Sequence, residues 1–194
     1  MVAAELHPVT ALPGRDGRPT AGAAAPRPVD TQHFRSVLGR FCSGITVVAA
    51  LGDAGPVGFT CQSFFSVSLD PPLVAFSVAH TSTSYPRLKG RPAFCVNVLG
   101  ADQAGHSQLL SSKDPAKWAK VPWAPGVDGA VRVHGALAWI DCSPWAEYPA
   151  GDHTIVVGRV LDLAADLGQD PLLYFNRQYR RLHPETKPET KEAQ

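Results

Sequence analysis

Short runs of apolar and β-branched residues recur along this chain, and turns rich in glycine or proline separate them. The run at 45–51 is followed by the turn at 52–55 and by a second run at 56–61, which is the pattern of a β-hairpin. Four further runs lie at 93–99, 131–142, 152–163 and 171–175. Because the helical segments between them are short and do not alternate regularly with strands, the pattern predicts a mostly β fold, an antiparallel barrel of about six or seven strands.

Residues 58–78 contain a strand that is interrupted by polar side chains and two prolines. The strand gives way to Gln62 and Ser63, Pro71 and Pro72 cannot donate ladder hydrogen bonds, and an apolar run resumes at Leu73. Such a segment places hydrogen-bond donors beside apolar walls. We therefore expect it to line a concave site for a planar ligand with polar edges.

The chain is long enough for one compact domain, since 44% of its 194 residues are hydrophobic. Residues 1–29 carry five prolines and no periodic apolar pattern, which predicts a flexible N-terminal arm. We place the folded domain at residues 30–182 and a polar C-terminal tail at 183–194.

Short helices are predicted at three places. Asp30 or Thr31 can cap a first helix, in which apolar residues recur at helical spacing up to residue 41 and which ends near residues 43–44. A second is expected over 85–89, with several capping residues before it. A third is expected over 102–110, with Asp102 as its N-cap.

Composition and charge exclude several classes of protein. A net charge of +1 and a pI near 7.8 provide no basic field for nucleic acid. The apolar runs fall far short of the roughly 20 residues that a membrane helix needs, and the N-terminus lacks the apolar core of a signal peptide. The four cysteines form no CxxC pair. We expect a soluble, cytoplasmic protein with reduced cysteines and no membrane or nucleic-acid partner.

The common nucleotide, hydrolase and metal motifs are missing from the sequence. It contains no GxGxxG, so a nicotinamide cofactor cannot bind through a Rossmann turn, and no GxxxxGK[ST], HExxH or GxSxG. His134, Asp141 and Cys142 could be imagined as metal ligands, but scattered single ligands of this kind are usually structural. No metal site is predicted.

An ordered set of segments matches a known family. The segments are FCSGITVV at 41–48, GFTCQSFFSVSLDPPLV at 58–74, FCVNVL at 94–99, GDHTI at 151–155 and PLLYF at 171–175. Together they resemble the short-chain flavin reductase family, the NAD(P)H-dependent partners of two-component flavin-dependent monooxygenases. The resemblance covers residues 30–182 and implies a split β-barrel of the FMN-binding type, a Greek-key-like antiparallel barrel that forms homodimers.

The resemblance also implies which residues bind the flavin. It places the ring and ribityl chain beside Thr60, Cys61, Gln62, Ser63, Ser66 and Val67. The ribityl chain and phosphate are placed along Ser77, Val78, Ala79, Thr81, Ser82 and Thr83. Hydroxyls and backbone amides near a helix start suit an anion, which agrees with this placement. The alternative is that these are ordinary capping and turn residues.

Two further places are implied by the same resemblance. His153, beside Asp152, is the implied catalytic residue, and either ring nitrogen could hold the nicotinamide carboxamide. The alternative is a strand-end histidine that only pairs with Asp152. Tyr179 lies where the family has an aromatic residue near the pocket; because Gln178 precedes it where the family has a small residue, a packing role stays open.

The function implied by the resemblance is hydride transfer from nicotinamide C4 to flavin N5. We expect FAD, or else FMN, as an exchangeable flavin, NADH or NADPH as reductant, and a separate monooxygenase of secondary metabolism or aromatic hydroxylation as the recipient of reduced flavin. The alternatives are a pyridoxamine-phosphate-oxidase-like flavoenzyme and a non-catalytic flavin-binding protein. This sequence shows no evident cluster of arginine and lysine residues for a second phosphate, which counts against the oxidase-like alternative.

Overall fold

The computed structural model describes residues 28–183. Within this range three α-helices are present: α1 (Thr31–Leu38), α2 (Tyr85–Leu88) and α3 (Ala104–Ser111). The strands are β1 (Ser43–Gly44), β2 (Thr46–Gly52), β3 (Gly55–Cys61), β4 (Phe65–Leu69), β5 (Pro72–Ala79), β6 (Phe94–Val98), β7 (Trp123–Pro125), β8 (Val131–Val133), β9 (Ala138–Ala150), β10 (His153–Ala165), β11 (Leu173–Phe175) and β12 (Gln178–Arg180). Two 3-10 helices lie at Lys117–Lys120 and Val127–Gly129. The predicted arm up to residue 27 and the tail from residue 184 lie outside the described residues.

Seven strands form the main sheet, in the order β3-β2-β6-β9-β10-β5-β4, and every neighbouring pair is antiparallel. The β9–β10 hairpin is the longest part of this sheet, and Gly151 supplies the positive φ of 64° that its turn requires. Non-consecutive strands are neighbours at β2–β6, β6–β9 and β10–β5, as in a Greek key. The predicted mostly β, antiparallel class is confirmed.

The two larger parts of the core lie one on each side of β2. Val48 packs with Phe76 and Phe94 in one cluster, whereas Val47 packs with Leu110 in the other. Alternate residues of a strand point to opposite faces, and both faces of β2 are covered. This burial explains why its sequence is a continuous apolar run instead of an alternating one.

Asp30 is confirmed as the N-cap of α1, because its carboxylate accepts a hydrogen bond from the His33 backbone N–H at 2.8 Å. The helix ends at Leu38, however, earlier than the predicted end near residues 43–44. Asp102 is not the cap of α3: the N-cap position is Gln103, and the Asp102 carboxylate pairs with Arg181 instead.

One predicted strand differs in its extent, and another run, which was expected to close the sheet, forms a strand outside it. The run at 131–142 is divided into β8 and β9, because Gly135 adopts a φ of +72° and turns the chain between them. The run at 171–175 does not join the main sheet. Its residues Leu173–Phe175 pair with β1 and β12 in a separate three-stranded sheet. None of the helices within residues 28–183 is both long and apolar enough to span a membrane.

Candidate active site

A cleft of about 550 Å³, here called the split cleft, opens between β3 and β5. Its volume lies within the range of about 300–1,000 Å³ that is typical of small-molecule sites. Ten of the predicted site residues line it: Thr60, Cys61, Gln62, Ser63, Ser77, Val78, Ala79, Ser82, His153 and Tyr179. The two halves of the 58–78 stretch therefore meet at one cavity, as its sequence predicted.

Five predicted residues do not line this cleft. Ser66 and Val67 lie on β4, the edge strand of the main sheet, where both are exposed. Thr81 and Asp152 are also exposed, and Thr83 lines a neighbouring cleft. Their predicted contacts with the cofactors remain predictions.

The hydroxyl of Ser63 bridges the split in the barrel. It accepts the Ser77 backbone N–H at 2.8 Å and donates to the Ser77 carbonyl at 3.0 Å. Beside it, the Cys61 thiol lies 3.1 Å from the Ser63 oxygen. The Ser63 side chain thus takes the place of a neighbouring strand beside Ser77 of β5. Because its hydroxyl proton is donated to the Ser77 carbonyl, Ser63 has no proton left to donate to a ligand.

Ser63→Ala is expected to lower the free energy of unfolding by about 1–3 kcal/mol, because the Ser77 N–H and carbonyl lose a shared partner. Urea denaturation measures this change. Ser111→Ala is the matched control: the Ser111 hydroxyl donates only to the nearby Gln108 carbonyl on an exposed turn, so its loss should cost no more than about 0.5 kcal/mol. Equal costs for the two variants would contradict a bridging role for Ser63.

One wall of the split cleft is joined to α3 through Ser107. The Thr60 hydroxyl donates to the Ser107 carbonyl at 2.9 Å, and the Tyr179 hydroxyl donates to the Ser107 side-chain oxygen at 3.1 Å. Tyr179 also packs edge-to-face on Tyr174, with ring centroids 5.4 Å apart. Tyr179 therefore both lines the cleft and holds the small sheet against the barrel.

His153 enters the split cleft from the first position of β10, opposite Ala79 of β5. Its Nδ1 lies 2.7 Å from an Asp152 carboxylate oxygen, and this hydrogen bond holds the pKa of Asp152 below its usual range. An ionised carboxylate can only accept, so Nδ1 carries the proton and Nε2 is left for a ligand. The structure therefore distinguishes the two ring nitrogens that the sequence left open.

Five residues that line the cleft were not predicted from the sequence: Ile45, Phe59, Ser107, Ser111 and Tyr174. Ile45 and Phe59 belong to apolar runs that predict ordinary core strands and give no sign of a binding site. The other three come from α3 and β11, which are distant in sequence from the 58–78 stretch. No local pattern signals their approach, because tertiary packing alone brings them to the site.

The lining fits a flavin ring system, which is planar, largely apolar and polar at one edge. Ile45, Phe59 and Tyr174 provide apolar and aromatic surface. The Gln62 side chain is exposed and has no hydrogen-bond partner within residues 28–183. Ser82 accepts the Tyr85 N–H at 3.2 Å and keeps its own proton available to donate.

A split antiparallel barrel with such a cleft defines the class of split-barrel flavin reductases. The chain belongs to the flavin reductase like domain family, whose match covers residues 38–183. This match confirms the resemblance found in the sequence.

The chain is similar to several proteins of this class. It is 40% identical over 164 residues to the reductase subunit of a flavin-dependent monooxygenase from Rhodococcus jostii, covering 84% of each chain. It is 39% identical over 153 residues to an NADH-dependent FMN reductase from Agrobacterium fabrum, covering 79% of this chain and 87% of the relative. A solved structure of an NADH:FAD oxidoreductase from Streptomyces globisporus, in complex with NAD and FAD fragments, matches this chain with a TM-score of 0.78 and 34% identity. The match covers 85% of this chain and 100% of that one.

Proposed function

We propose that this protein is an NAD(P)H:flavin oxidoreductase that reduces an exchangeable flavin and supplies it to a separate monooxygenase. The observation that carries the proposal is the split cleft, where ten predicted residues meet around a volume suited to the ring system. Relatives named as a monooxygenase reductase subunit and as an NADH-dependent FMN reductase support the same activity.

The chain's own residues contribute binding and orientation. When bound, the flavin supplies the hydride acceptor at N5, and the protein must hold the nicotinamide ring flat against it. Phe59 and Ile45 limit the cleft on its apolar side, and Gln62 and Ser82 offer hydrogen bonds at its polar side. His153, with Nδ1 bonded to Asp152, presents Nε2 to a nicotinamide carboxamide. No side-chain nucleophile is needed for this reaction.

Release of reduced flavin requires that the protein form no covalent bond with it. Cys61 is the thiol in the cleft, and burial raises its pKa, so it is a poor nucleophile at neutral pH. Hydroxyls, amides and aromatic walls bind reversibly. The proposal includes a cytoplasmic location, where NADH and a partner monooxygenase would be available.

We further propose that the active form is a homodimer. Phe34 and Phe41 of the α1 region are 52% and 80% exposed, and Phe65 and Leu69 of β4 are 52% and 91% exposed. Unpaired edge strands and exposed apolar side chains of this size are typical of interfaces. A second copy of the chain would cover them, and it would also enclose Ser66 and Val67. Analytical ultracentrifugation should give twice the chain mass, and a monomer would contradict the proposal.

The activity is tested by mixing purified protein with NADH and either FAD or FMN and following absorbance at the nicotinamide band. We expect NADH oxidation that depends on added flavin and needs no other organic substrate. A protein that binds flavin but oxidises no NADH or NADPH would be the non-catalytic alternative. A protein that retains its flavin and needs an organic substrate would instead be a pyridoxamine-phosphate-oxidase-like flavoenzyme.

His153→Ala should raise the KM for NADH about tenfold, because loss of a hydrogen bond to a bound ligand costs on the order of 1.4 kcal/mol. The flavin dissociation constant should change by less than about twofold, since the ring contacts come from other residues. His106→Ala is the control: His106 contacts Gln103 and does not line the split cleft. Unchanged steady-state kinetics in His153→Ala would show that His153 does not bind the nicotinamide and has only a structural role.

A further inference from the structure

The segment between β5 and α2 is fastened to the β9–β10 hairpin on both sides of Ser82. Before Ser82, the His80 backbone N–H donates to the Asp152 carbonyl at 3.0 Å. After it, the Tyr85 hydroxyl donates to a Glu147 carboxylate oxygen at 2.9 Å. Ser82 itself lines the split cleft. The hairpin therefore limits where this part of the cleft wall can lie.

Tyr85 contacts two residues of the split cleft without lining it. Its backbone N–H donates to the Ser82 hydroxyl oxygen at 3.2 Å. Its ring packs edge-to-face on Phe59, with centroids 6.5 Å apart and an angle of 87° between the ring planes. Neither Tyr85 nor Glu147 is among the residues that line the cleft. Any effect of this pair on a ligand there must therefore pass through Ser82 and Phe59.

Contacts outside the helix must orient α2, because a helix of four residues is not stable by itself. Its N-cap residue, Ser84, makes no side-chain capping hydrogen bond. Leu88 is buried in the core and anchors the last residues of the helix. The Tyr85 hydroxyl holds the beginning of the helix to β9 through Glu147. Loss of this bond would let the beginning of α2, next to the cleft wall, shift while its end stays in place.

Glu147 receives two hydrogen bonds from α2 and the residue after it, and they differ in strength. The Lys89 ammonium donates to the second carboxylate oxygen at 2.7 Å, but the two side chains are 59% and 33% exposed, so solvent screens this pair. The Tyr85 hydroxyl is half-buried, and burial together with the Glu147 hydrogen bond raises the pKa of Tyr85. The hydroxyl therefore stays protonated and donates to an ionised acceptor, which is the stronger kind of hydrogen bond.

We propose that the hydrogen bond between Tyr85 and Glu147, here called the α2 clamp, positions the cleft wall for the flavin, an inference that rests on the proposed function. It acts through Ser82, which offers a hydroxyl, and Phe59, which offers an apolar surface. A shift at the beginning of α2 would displace both contacts together. His153 should keep its place without the clamp, because the long β9–β10 ladder holds it.

The test measures dissociation constants of the full-length protein for FMN and FAD by fluorescence titration, well below the melting temperature of each variant. Tyr85→Phe keeps the ring that packs on Phe59 and removes the hydroxyl, whereas Glu147→Ala removes its acceptor. Each should raise both constants about fivefold, the lower end of typical coupling between separate groups. The double variant should bind no more weakly than either single variant, because both changes break the same bond.

Two variants serve as controls. Glu147→Gln keeps an acceptor oxygen for the Tyr85 hydroxyl and should bind flavin within about twofold of the unmodified protein. Asp53→Asn removes the ion pair that Arg91, shortly after α2, makes at 2.8 Å; neither residue lines the split cleft, and flavin affinity should change by less than about twofold. In Tyr85→Phe the KM for flavin should rise about fivefold, whereas kcat and the KM for NADH should stay within about twofold.

Three results would overturn the proposal. Unchanged flavin affinity in either Tyr85→Phe or Glu147→Ala would show that the cleft wall does not depend on the clamp. Additive losses in the double variant would show that the two side chains act separately. A loss in Glu147→Gln as large as in Glu147→Ala would assign the effect to the charge of Glu147. Clamp-dependent flavin binding by a protein that oxidises no NADH would contradict the proposed function and support the clamp.

Discussion

Asp141→Asn is expected to lower the free energy of unfolding by about 3–5 kcal/mol, because it removes one partner of a buried ion pair. The Asp141 side chain is fully buried, and one of its oxygens accepts from Arg132 at 2.6 and 3.0 Å and from the Val127 N–H at 2.8 Å. An amide placed there keeps one acceptor oxygen for these donors but loses the negative charge that balances the Arg132 guanidinium. Urea denaturation followed by circular dichroism measures the loss.

A second carboxylate on the same arginine provides the control. Asp162 also lies 3.0 Å from the Arg132 guanidinium, but its side chain is 51% exposed. Asp162→Asn should therefore cost no more than about 1 kcal/mol, as expected of a solvent-screened pair. If the two variants were equally stable, burial would not be what makes the Asp141 pair important. One Asp141 oxygen thus accepts all of these protein donors, whereas the other is buried without a hydrogen-bond partner within residues 28–183.

The strands could be predicted where their signals are local. Both faces of β2 are buried, so its sequence is apolar throughout, and the turn before Gly55 marks its partner β3. The break between β8 and β9 was missed because Gly135 lies in a run that is otherwise strand-like. The pairing of β11 with β1 was missed for a different reason: these strands are far apart in sequence, and no residue pattern specifies which edge a three-residue strand will join.

The candidate site was predictable on one side only. Residues 60–63 and 77–79 are near in sequence and carry a family pattern, and they do meet at the split cleft. Ser107 was missed because its role depends on α3 packing against β3 and β12. The sequence showed a hydroxyl at Ser63 but not that the Ser77 backbone uses it. The resemblance placed Ser82 and Thr83 together along the ribityl chain and phosphate, and the structure has Ser82 lining the split cleft and Thr83 lining a neighbouring one.

Phe76→Ala should destabilise the protein by about 3–5 kcal/mol, because it leaves a cavity in the centre of the barrel. Phe76 is fully buried and packs edge-to-face on Phe94 and Phe59, with centroid distances of 5.6 and 6.0 Å. The melting temperature should fall by roughly 6–20 °C for a domain of this size. Differential scanning calorimetry measures this change.

The same substitution should weaken flavin binding, since Phe59 lines the split cleft and Phe76 supports its ring from behind. Phe76→Leu fills more of the cavity and should cost only about 1–2 kcal/mol, with a correspondingly smaller effect on flavin affinity. Flavin titrations well below the melting temperature of each variant separate the two effects. If Phe76→Ala bound flavin as tightly as the unmodified protein there, the position of Phe59 would not depend on the core, and the cleft would be preorganised by its hydrogen bonds alone.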